Sequence, residues 1–255
     1  MTIKNEEELN GLKEAGKAVA IALKKMKEYT KIGMTTKELD NYGGEILAEL
    51  GAFSAPIKDY DFPGHTCISI NNVACHGVPS DNIVLKNGDL VNIDVSAELN
   101  GFYGDNGGSF ILGEDIHNHA PLVIASQEIL KGALNHVKSG NRIANLGGYI
   151  ETEAKKRGYQ VIKNLCGHGI GRKLHEAPTE ILNYRDRFNT KRFTKNSVIA
   201  LETFISTKAK FVYEQEDGWT MKAKDNSFVT QHEHTLVITD GYPIILTEEN
   251  GVFEF

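Results

Sequence analysis

The 255-residue chain has an ordinary globular composition, which predicts one large domain or two small ones, and its net charge of −6 without a dense basic block argues against a nucleic-acid-binding surface. No apolar run approaches the ~18 residues of a membrane span, and the charged first ten residues do not resemble a signal peptide, so we expect a cytoplasmic protein. Three cysteines without C-x-x-C spacing agree with reduced thiols in that compartment.

The first part of the chain predicts two helices. Apolar residues recur at three- and four-residue steps over Glu6–Tyr29, which makes one buried stripe. A capping box at Thr35–Glu38 opens a second helix, which a glycine at position 51 ends. Residues 52–66, with two prolines, are expected to form a loop. A short strand at Cys67–Asn71 and a turn at Val73–Pro79 follow.

The stretch from residue 89 to 110 predicts a β-hairpin that carries two acids. Asn100-Gly101 is the strongest short-range hairpin signal, because a type I′ turn needs a positive φ at both central residues. A two-residue turn there pairs residues whose numbers sum to 201, so Asp105 faces Ser96. Side chains alternate along strands, which puts Asp94 and Asp105 on one face as diagonal neighbours. Unless a bulge shifts this register, two carboxylates so placed need a positive charge between them.

The second half repeats the order of helices before acid-bearing strands. We therefore predict an α+β fold of two similar halves, in which helices cover one face of an antiparallel sheet. No Pro/Ser-rich linker separates the halves, so residues 1–255 are expected to form a single domain. The expected elements are helices at Leu122–Val137 and Leu146–Arg157, strands at Tyr159–Lys163, Val198–Ile205, Ser227–Thr239 and Tyr242–Thr247, a glycine-rich, non-helical stretch at Gly167–Glu176, and a loop or exposed hairpin at Ser206–Asn226.

Four carboxylates are the main candidates for chemistry. Glu202 and Glu233 each interrupt an apolar strand, and a buried, unpaired carboxylate is costly. Structural ion pairs are the alternative, but these strands offer few lysine or arginine partners. A bound cation would explain both glutamates together with Asp94 and Asp105. Composition and periodicity alone therefore predict a carboxylate-rich metal site.

The histidines give weaker signals one by one. His168 lies between two glycines, which permit close backbone approach and unusual dihedral angles and would suit a fixed ligand, although a loop histidine is an equal alternative. His76 and His175, taken singly, are more typical of a surface. His232 and His234 flank the last of the four acids and should point to the opposite face of its strand. The histidines that receive no role are His65, His117, His119 and His136.

Five separate segments resemble the type I methionine aminopeptidases, a family of pita-bread metallopeptidases. These segments are FPGHTCISIN, ACHGVPS, NIDVSAELNGFYGD, GHGIGRKLHEAP and QHEHT, and they occur in the family's order. The resemblance implies the pita-bread fold and an exopeptidase that removes the initiator methionine from nascent proteins and peptides, with a small second residue favoured. The short gap from His168 to Glu202 leaves no room for the helical insertion of type II enzymes.

The resemblance also implies a site for two divalent metal ions, of Co, Mn, Fe or Zn. Asp94 would bind one metal with both oxygens, and Asp105 and Glu233 would bridge the pair. His168 and Glu202 would complete the ligands of the second metal. A hydroxide held between the metals would attack the scissile carbonyl, with Glu202 as the acid and base.

Further residues are implied for catalysis and substrate binding. His175 would hydrogen-bond the carbonyl oxygen, and His76 would contact the scissile nitrogen or the chain just beyond it. The methionine side chain would bind between apolar walls, for which ordinary core packing is the alternative at two positions, Phe62 and Leu174. The implied walls of this pocket are Tyr60, Phe62, Cys67 and Trp219, with Leu174 as a further candidate.

Three positions depart from the family pattern. Thr203 follows Glu202 where the family usually has proline, Tyr60 stands where some relatives have histidine, and Leu174 stands where phenylalanine is common. They concern strand geometry and pocket shape rather than metal binding. A proline-directed peptidase of the same fold and a non-catalytic binding protein are the rival hypotheses. The expected partner is the N-terminal methionine of nascent polypeptides, and a transient association with the ribosome is compatible with this role. A monomer without membrane contact is expected.

Overall fold

The computed structural model describes residues 1–252 and shows an α+β architecture in which the named strand pairs are all antiparallel. The α-helices are α1 Glu6–Tyr29, α2 Thr36–Glu49, α3 Ala55–Tyr60, α4 Ala120–Ala133 and α5 Ile143–Lys156, with 3-10 turns at Leu134–His136 and Glu248–Asn250. The strands are β1 Phe53–Ser54, β2 Cys67–Ile70, β3 Val73–Cys75, β4 Leu90–Leu99, β5 Phe102–Ile111, β6 Gln160–Val161, β7 Cys166–Gly169, β8 Glu176–Leu182, β9 Val198–Ser206, β10 Tyr213–Glu214, β11 Met221–Lys222, β12 Val229–Val237 and β13 Ile244–Ile245.

The first two helices have the limits that the sequence predicts. The side chain of Asn5 caps α1, and the capping box between Thr35 and Glu38 opens α2. The apolar stripe of α1 packs on β4 and β5, and Val19 and Met26 are fully buried in this contact. Helix α2 packs against α1 and against β1 and β2, so both helices gain stability from tertiary contacts with this part of the fold.

The hairpin of β4 and β5 confirms the predicted register. Ser96 pairs with Asp105, and no bulge interrupts the ten paired positions. Asn100 and Gly101 have φ angles of 52° and 80°, as a type I′ turn requires. Asp94 and Asp105 therefore point from the same face of the hairpin. Strands β1 and β2 also pair with β4, which completes a four-stranded sheet.

The second half has the same layered design. A six-stranded sheet has the order β13-β12-β9-β7-β8, with β6 paired to β9, and α4 packs against β9 and β12. In β12 the two histidines point away from Glu233, as predicted, since His232 Nδ1 lies 2.8 Å from Ser126 Oγ on α4. Within residues 1–252, no helix is long and apolar enough to cross a membrane.

The two large sheets meet where β5 contacts β12. Thr235 Oγ1 accepts a hydrogen bond from the backbone N–H of Asp105 at 2.9 Å and donates one to its carbonyl at 2.7 Å. Ser109 Oγ makes the matching pair of hydrogen bonds with the backbone of Gln231, at 3.0 Å each. These bridges join the acid-bearing strands of the two halves side by side.

Two local predictions are wrong. The expected loop at residues 52–66 contains the short helix α3, because Ser54 caps it and Pro56 occupies its first turn, where proline is favoured. The expected turn at Val73–Pro79 begins with strand β3. The expected loop or hairpin at Ser206–Asn226 is a small hairpin, in which β10 pairs with β11 and β11 with β3.

Candidate metal centre and substrate cavity

The two halves enclose one cavity of about 330 Å³, and every site residue predicted from the sequence lines it. Some of these residues come from the first half and some from the second, so the cavity exists only because the sheets meet. Its predicted lining residues are Tyr60, Phe62, Cys67, His76, Asp94, Asp105, His168, Leu174, His175, Glu202, Trp219 and Glu233.

The four carboxylates converge on the floor of the cavity. The β4–β5 hairpin supplies Asp94 and Asp105, while Glu202 on β9 lies directly opposite Glu233 on β12. Like charges directly opposite each other on neighbouring strands repel. Burial raises the pKa of Asp105 to about 7, and burial together with the neighbouring acids raises the pKa of the other three well above the ordinary range.

The donor atoms fit a divalent cation. Asp105, His168 and Glu233 each offer one ligand atom, and these atoms all lie within 4.8 Å of one another. Asp105 Oδ1 and Glu233 Oε1 are buried without a hydrogen-bond partner. No lysine or arginine lines the cavity among the described residues. Oxygen donors with one imidazole are the set that Mn, Fe, Co and Zn accept.

His168 is fixed on β7 by its backbone surroundings. Its Nδ1 lies 3.0 Å from the carbonyl oxygen of Gly169, which leaves Nε2 at 3.6 Å from Asp105 Oδ2. A Cβ at Gly167 would lie 2.5 Å from the carbonyl oxygen of Ala200 on β9. The expectation of close backbone approach is therefore confirmed. Neither glycine beside His168 has a positive φ, so the left-handed conformation that glycine permits is not used here.

His175 lines the same cavity and has a partner that the sequence did not suggest. Tyr60 Oη lies 2.6 Å from His175 Nδ1, and the ring of His175 lies 4.2 Å from that of His168 between centroids. Partial burial and the neighbouring His168 lower the pKa of His175 to about 4, so the imidazole is neutral at pH 7. When the tyrosine hydroxyl donates to Nδ1, the single ring proton resides on Nε2.

An apolar pocket adjoins this polar floor. The rings of Phe62 and Trp219 make an edge-to-face contact with centroids 5.2 Å apart. Pairing of β11 with β3 brings the Trp219 loop to His76, whose carbonyl accepts a hydrogen bond from Thr220 Oγ1 at 3.5 Å. Burial and the nearby Asp94 raise the pKa of the Cys67 thiol well above its ordinary value, so Cys67 is a small apolar wall.

The sequence interpretation missed several residues at the site. Gln231 is fully buried against the carboxylates, and its position two residues before Glu233 on one strand was the available signal. The others, on the cavity wall, are Pro56, Cys75, Ser96, Asn164, Leu165, Cys166, Thr179 and Phe204. Thr203 replaces the usual proline without breaking β9, and its hydroxyl donates to the carbonyl of His232 at 3.4 Å.

This pairing of a carboxylate-rich centre with a pita-bread fold defines a class of metallohydrolase. The model of metallopeptidase family M24 matches residues 10–240, and the chain belongs to this family. Its relatives include methionine aminopeptidase 2 of Bacillus subtilis, which is 51% identical over 97% of this chain and 100% of the relative. The solved methionine aminopeptidase of Thermotoga maritima superposes with a TM-score of 0.91 at 35% identity, covering 97% of this chain and 99% of that one. A prolidase from Pyrococcus furiosus shares the fold with a TM-score of 0.76 at 23% identity, covering 97% of this chain and 65% of that one.

Proposed function

We propose that this protein is a metal-dependent exopeptidase that removes the N-terminal methionine from nascent proteins and peptides. The observation that carries the proposal is the convergence of four carboxylates and a histidine beside an apolar pocket in one cavity. The 51% identity to a bacterial methionine aminopeptidase over nearly the whole chain supports the same assignment.

The proposed ligands are Asp94, Asp105, His168, Glu202 and Glu233, which would hold two divalent ions. Such a pair supplies Lewis-acid activation of a water molecule and of the substrate carbonyl. The two buried carboxylate oxygens without hydrogen-bond partners, one on Asp105 and one on Glu233, support this assignment, since buried charges need a partner. Co, Mn, Fe and Zn are all compatible with the donors.

The chain's own groups divide the proton transfers between them. Glu202 reaches the cavity floor, where its raised pKa suits a group that takes a proton from the attacking water and passes it to the departing amine. His175 would donate from Nε2 to the carbonyl oxygen as charge develops there. His76, at the end of β3, would contact the scissile nitrogen or the chain beyond it.

The pocket and the cavity floor together explain selection of a chain start. The edge-to-face pair of Phe62 and Trp219, with Cys67 buried between strands, offers apolar walls for a flexible thioether. A polypeptide entering this pocket places its first peptide bond above the carboxylates, and its free amine meets the acidic floor. We expect small second residues to be favoured. We also expect a cytoplasmic monomer that associates at most transiently with the ribosome.

The test is peptide hydrolysis by the metal-loaded protein. Met-Ala-Ser, Met-Lys-Ser and Ala-Pro-Ser are incubated separately with protein carrying Co, Mn, Fe or Zn, and the released amino acid is identified. Release of methionine from Met-Ala-Ser alone is expected. Cleavage of Ala-Pro-Ser alone would instead favour a proline-directed peptidase, and no release with any of the metals would favour a binding protein.

A further inference from the structure

Gln231 places an uncharged donor among the carboxylates. Its Nε2 lies 2.9 Å from Glu233 Oε2, 3.4 Å from Glu202 Oε2 and 3.5 Å from Asp94 Oδ2. The side chain is fully buried, on the same face of β12 as Glu233. One amide group therefore reaches three of the four acids on the cavity floor.

Hydrogen bonds from Asn92 fix the orientation of this amide. Asn92 Nδ2 on β4 donates to Gln231 Oε1 at 2.8 Å and to its carbonyl oxygen at 3.1 Å. The same nitrogen donates to Ser109 Oγ, whose hydroxyl in turn donates a hydrogen bond to the backbone carbonyl of Gln231. With its oxygen held by Asn92, the amide must present its N–H groups to the acids. Gly107 on β5 makes room, because a Cβ there would overlap the glutamine amide.

The choice of an amide has an electrostatic consequence. A lysine or arginine at this place would neutralise part of the negative charge that attracts a divalent ion. A neutral N–H donor orients carboxylate oxygens without adding a positive charge beside them. It also discriminates between the two oxygens of Glu233, since Oε2 accepts the hydrogen bond while Oε1 has no hydrogen-bond partner.

We propose that Gln231, held by Asn92, is a positioning residue for the metal centre. It occupies one oxygen of Glu233 and steadies Glu202 and Asp94, so that the remaining oxygens stay directed at the metal. This inference rests on the proposed function. Polar partners of metal ligands typically change metal affinity about 10–100-fold when they are removed.

The first experiment removes the N–H donor of Gln231 but keeps a side chain in the same space. Gln231→Met keeps a side chain of similar size, and the dissociation constant for Co²⁺ is measured by calorimetry on metal-free protein. The expected result is affinity weaker by about 10–100-fold, with a changed visible absorption spectrum of the Co²⁺ form because the ligand geometry relaxes. The matched control is Gln127→Met, since Gln127 is also buried but donates to the carbonyl of Val252 away from the cavity. The control is expected to match the unmodified protein in both readouts.

The second experiment separates positioning from packing. Asn92→Leu removes the anchor but makes no change to Gln231 itself, so it is expected to weaken Co²⁺ binding in the same direction by a smaller factor. In the double variant the loss is expected to equal that of Gln231→Met alone, because both changes act through one amide. If Gln231→Met does not fold, Co²⁺ binding by Asn92→Leu still tests the proposal.

The outcomes are distinct. Co²⁺ affinity within twofold of the unmodified protein and an unchanged spectrum for both single variants would overturn the role of Gln231. Fully additive losses in the double variant would overturn the coupling through Asn92. If the unmodified protein binds no Co²⁺ and releases no methionine, the proposed function itself fails, which the variants alone could not show.

Discussion

Replacing Asp105 by asparagine should stabilise the metal-free protein and should remove most of the stabilisation that a bound metal gives. Burial raises the pKa of Asp105 from the ordinary 3.8 to about 7 in the metal-free protein. Each pKa unit corresponds to about 1.4 kcal/mol, so keeping this carboxylate ionised costs the folded state about 4 kcal/mol above pH 7. A buried amide has a smaller cost, and we expect Asp105→Asn to raise the unfolding free energy by about 2–4 kcal/mol at pH 8.

The sign of the pH dependence follows from the direction of the shift. Below pH 3.8 the carboxyl is protonated in both folded and unfolded chains, so the two proteins should differ little. As pH rises from 3.8 to 7, the unfolded chain loses its proton first, and the original protein loses stability relative to the variant. The fold should survive the change, because Thr235 holds the backbone of residue 105 from both sides.

The assay is urea unfolding in EDTA at pH 5 and pH 8, and again with Mn²⁺. A ligand at 100 times its dissociation constant stabilises a protein by about 2.7 kcal/mol. The original protein should gain this increment, whereas Asp105→Asn should gain little and should release no methionine. Asp81→Asn, an exposed carboxylate, is the control. A variant no more stable than the original in EDTA at pH 8, or one that Mn²⁺ stabilises equally, would refute the reasoning.

Two other variants probe Tyr60 on the cavity wall and the buried Asp40 on α2, which does not line the cavity. Tyr60→Phe keeps the ring but loses the hydrogen bond to His175, which holds the ring proton on Nε2 when the tyrosine hydroxyl is the donor. We therefore expect kcat for Met-Ala-Ser to fall about fivefold, the equivalent of ~1 kcal/mol, with little change in KM. A raised KM at constant kcat would contradict this. Asp40 is a buried carboxylate that accepts hydrogen bonds from the N–H and the hydroxyl of Thr66, at 2.8 and 3.0 Å, and pairs with Lys37. Asp40→Ala removes these partners, so the free energy of unfolding measured in urea should fall by about 3 kcal/mol. An unfolding free energy within 1 kcal/mol of the original would mean that Thr66 finds other partners.

The parts of the fold that the sequence predicted well are those fixed by local rules. The limits of α1 follow from its apolar stripe, and the β4–β5 register follows from one Asn-Gly turn. That register alone placed Asp94 and Asp105 on a common face. In long, strongly periodic segments the apolar residues recur on one face, so the local sequence alone predicts the type of element and its buried side.

Other features depend on contacts between distant segments and have no local signal. Strand β3 forms because β11, nearly 150 positions later, pairs with it, so a three-residue stretch was interpreted as a turn. The Tyr60–His175 hydrogen bond joins residues 115 positions apart. Helix α3 is different, because it does have a local signal: Ser54 and Pro56 are ordinary residues for a helix start, and the expectation of a loop treats both prolines of the segment as loop residues.

The bridge between Thr235 and Asp105 joins positions 130 residues apart, and it has a consequence for biosynthesis. The first hairpin leaves the ribosome before the second half has been made, so it then carries two acids with no counterpart. Neither a chain interrupted before residue 229 nor the isolated second sheet contains a complete set of donors. If these acids hold the metals as proposed, we expect a truncated product to be inert, with hydrolysis beginning only after the last acidic strand has been synthesised and has docked.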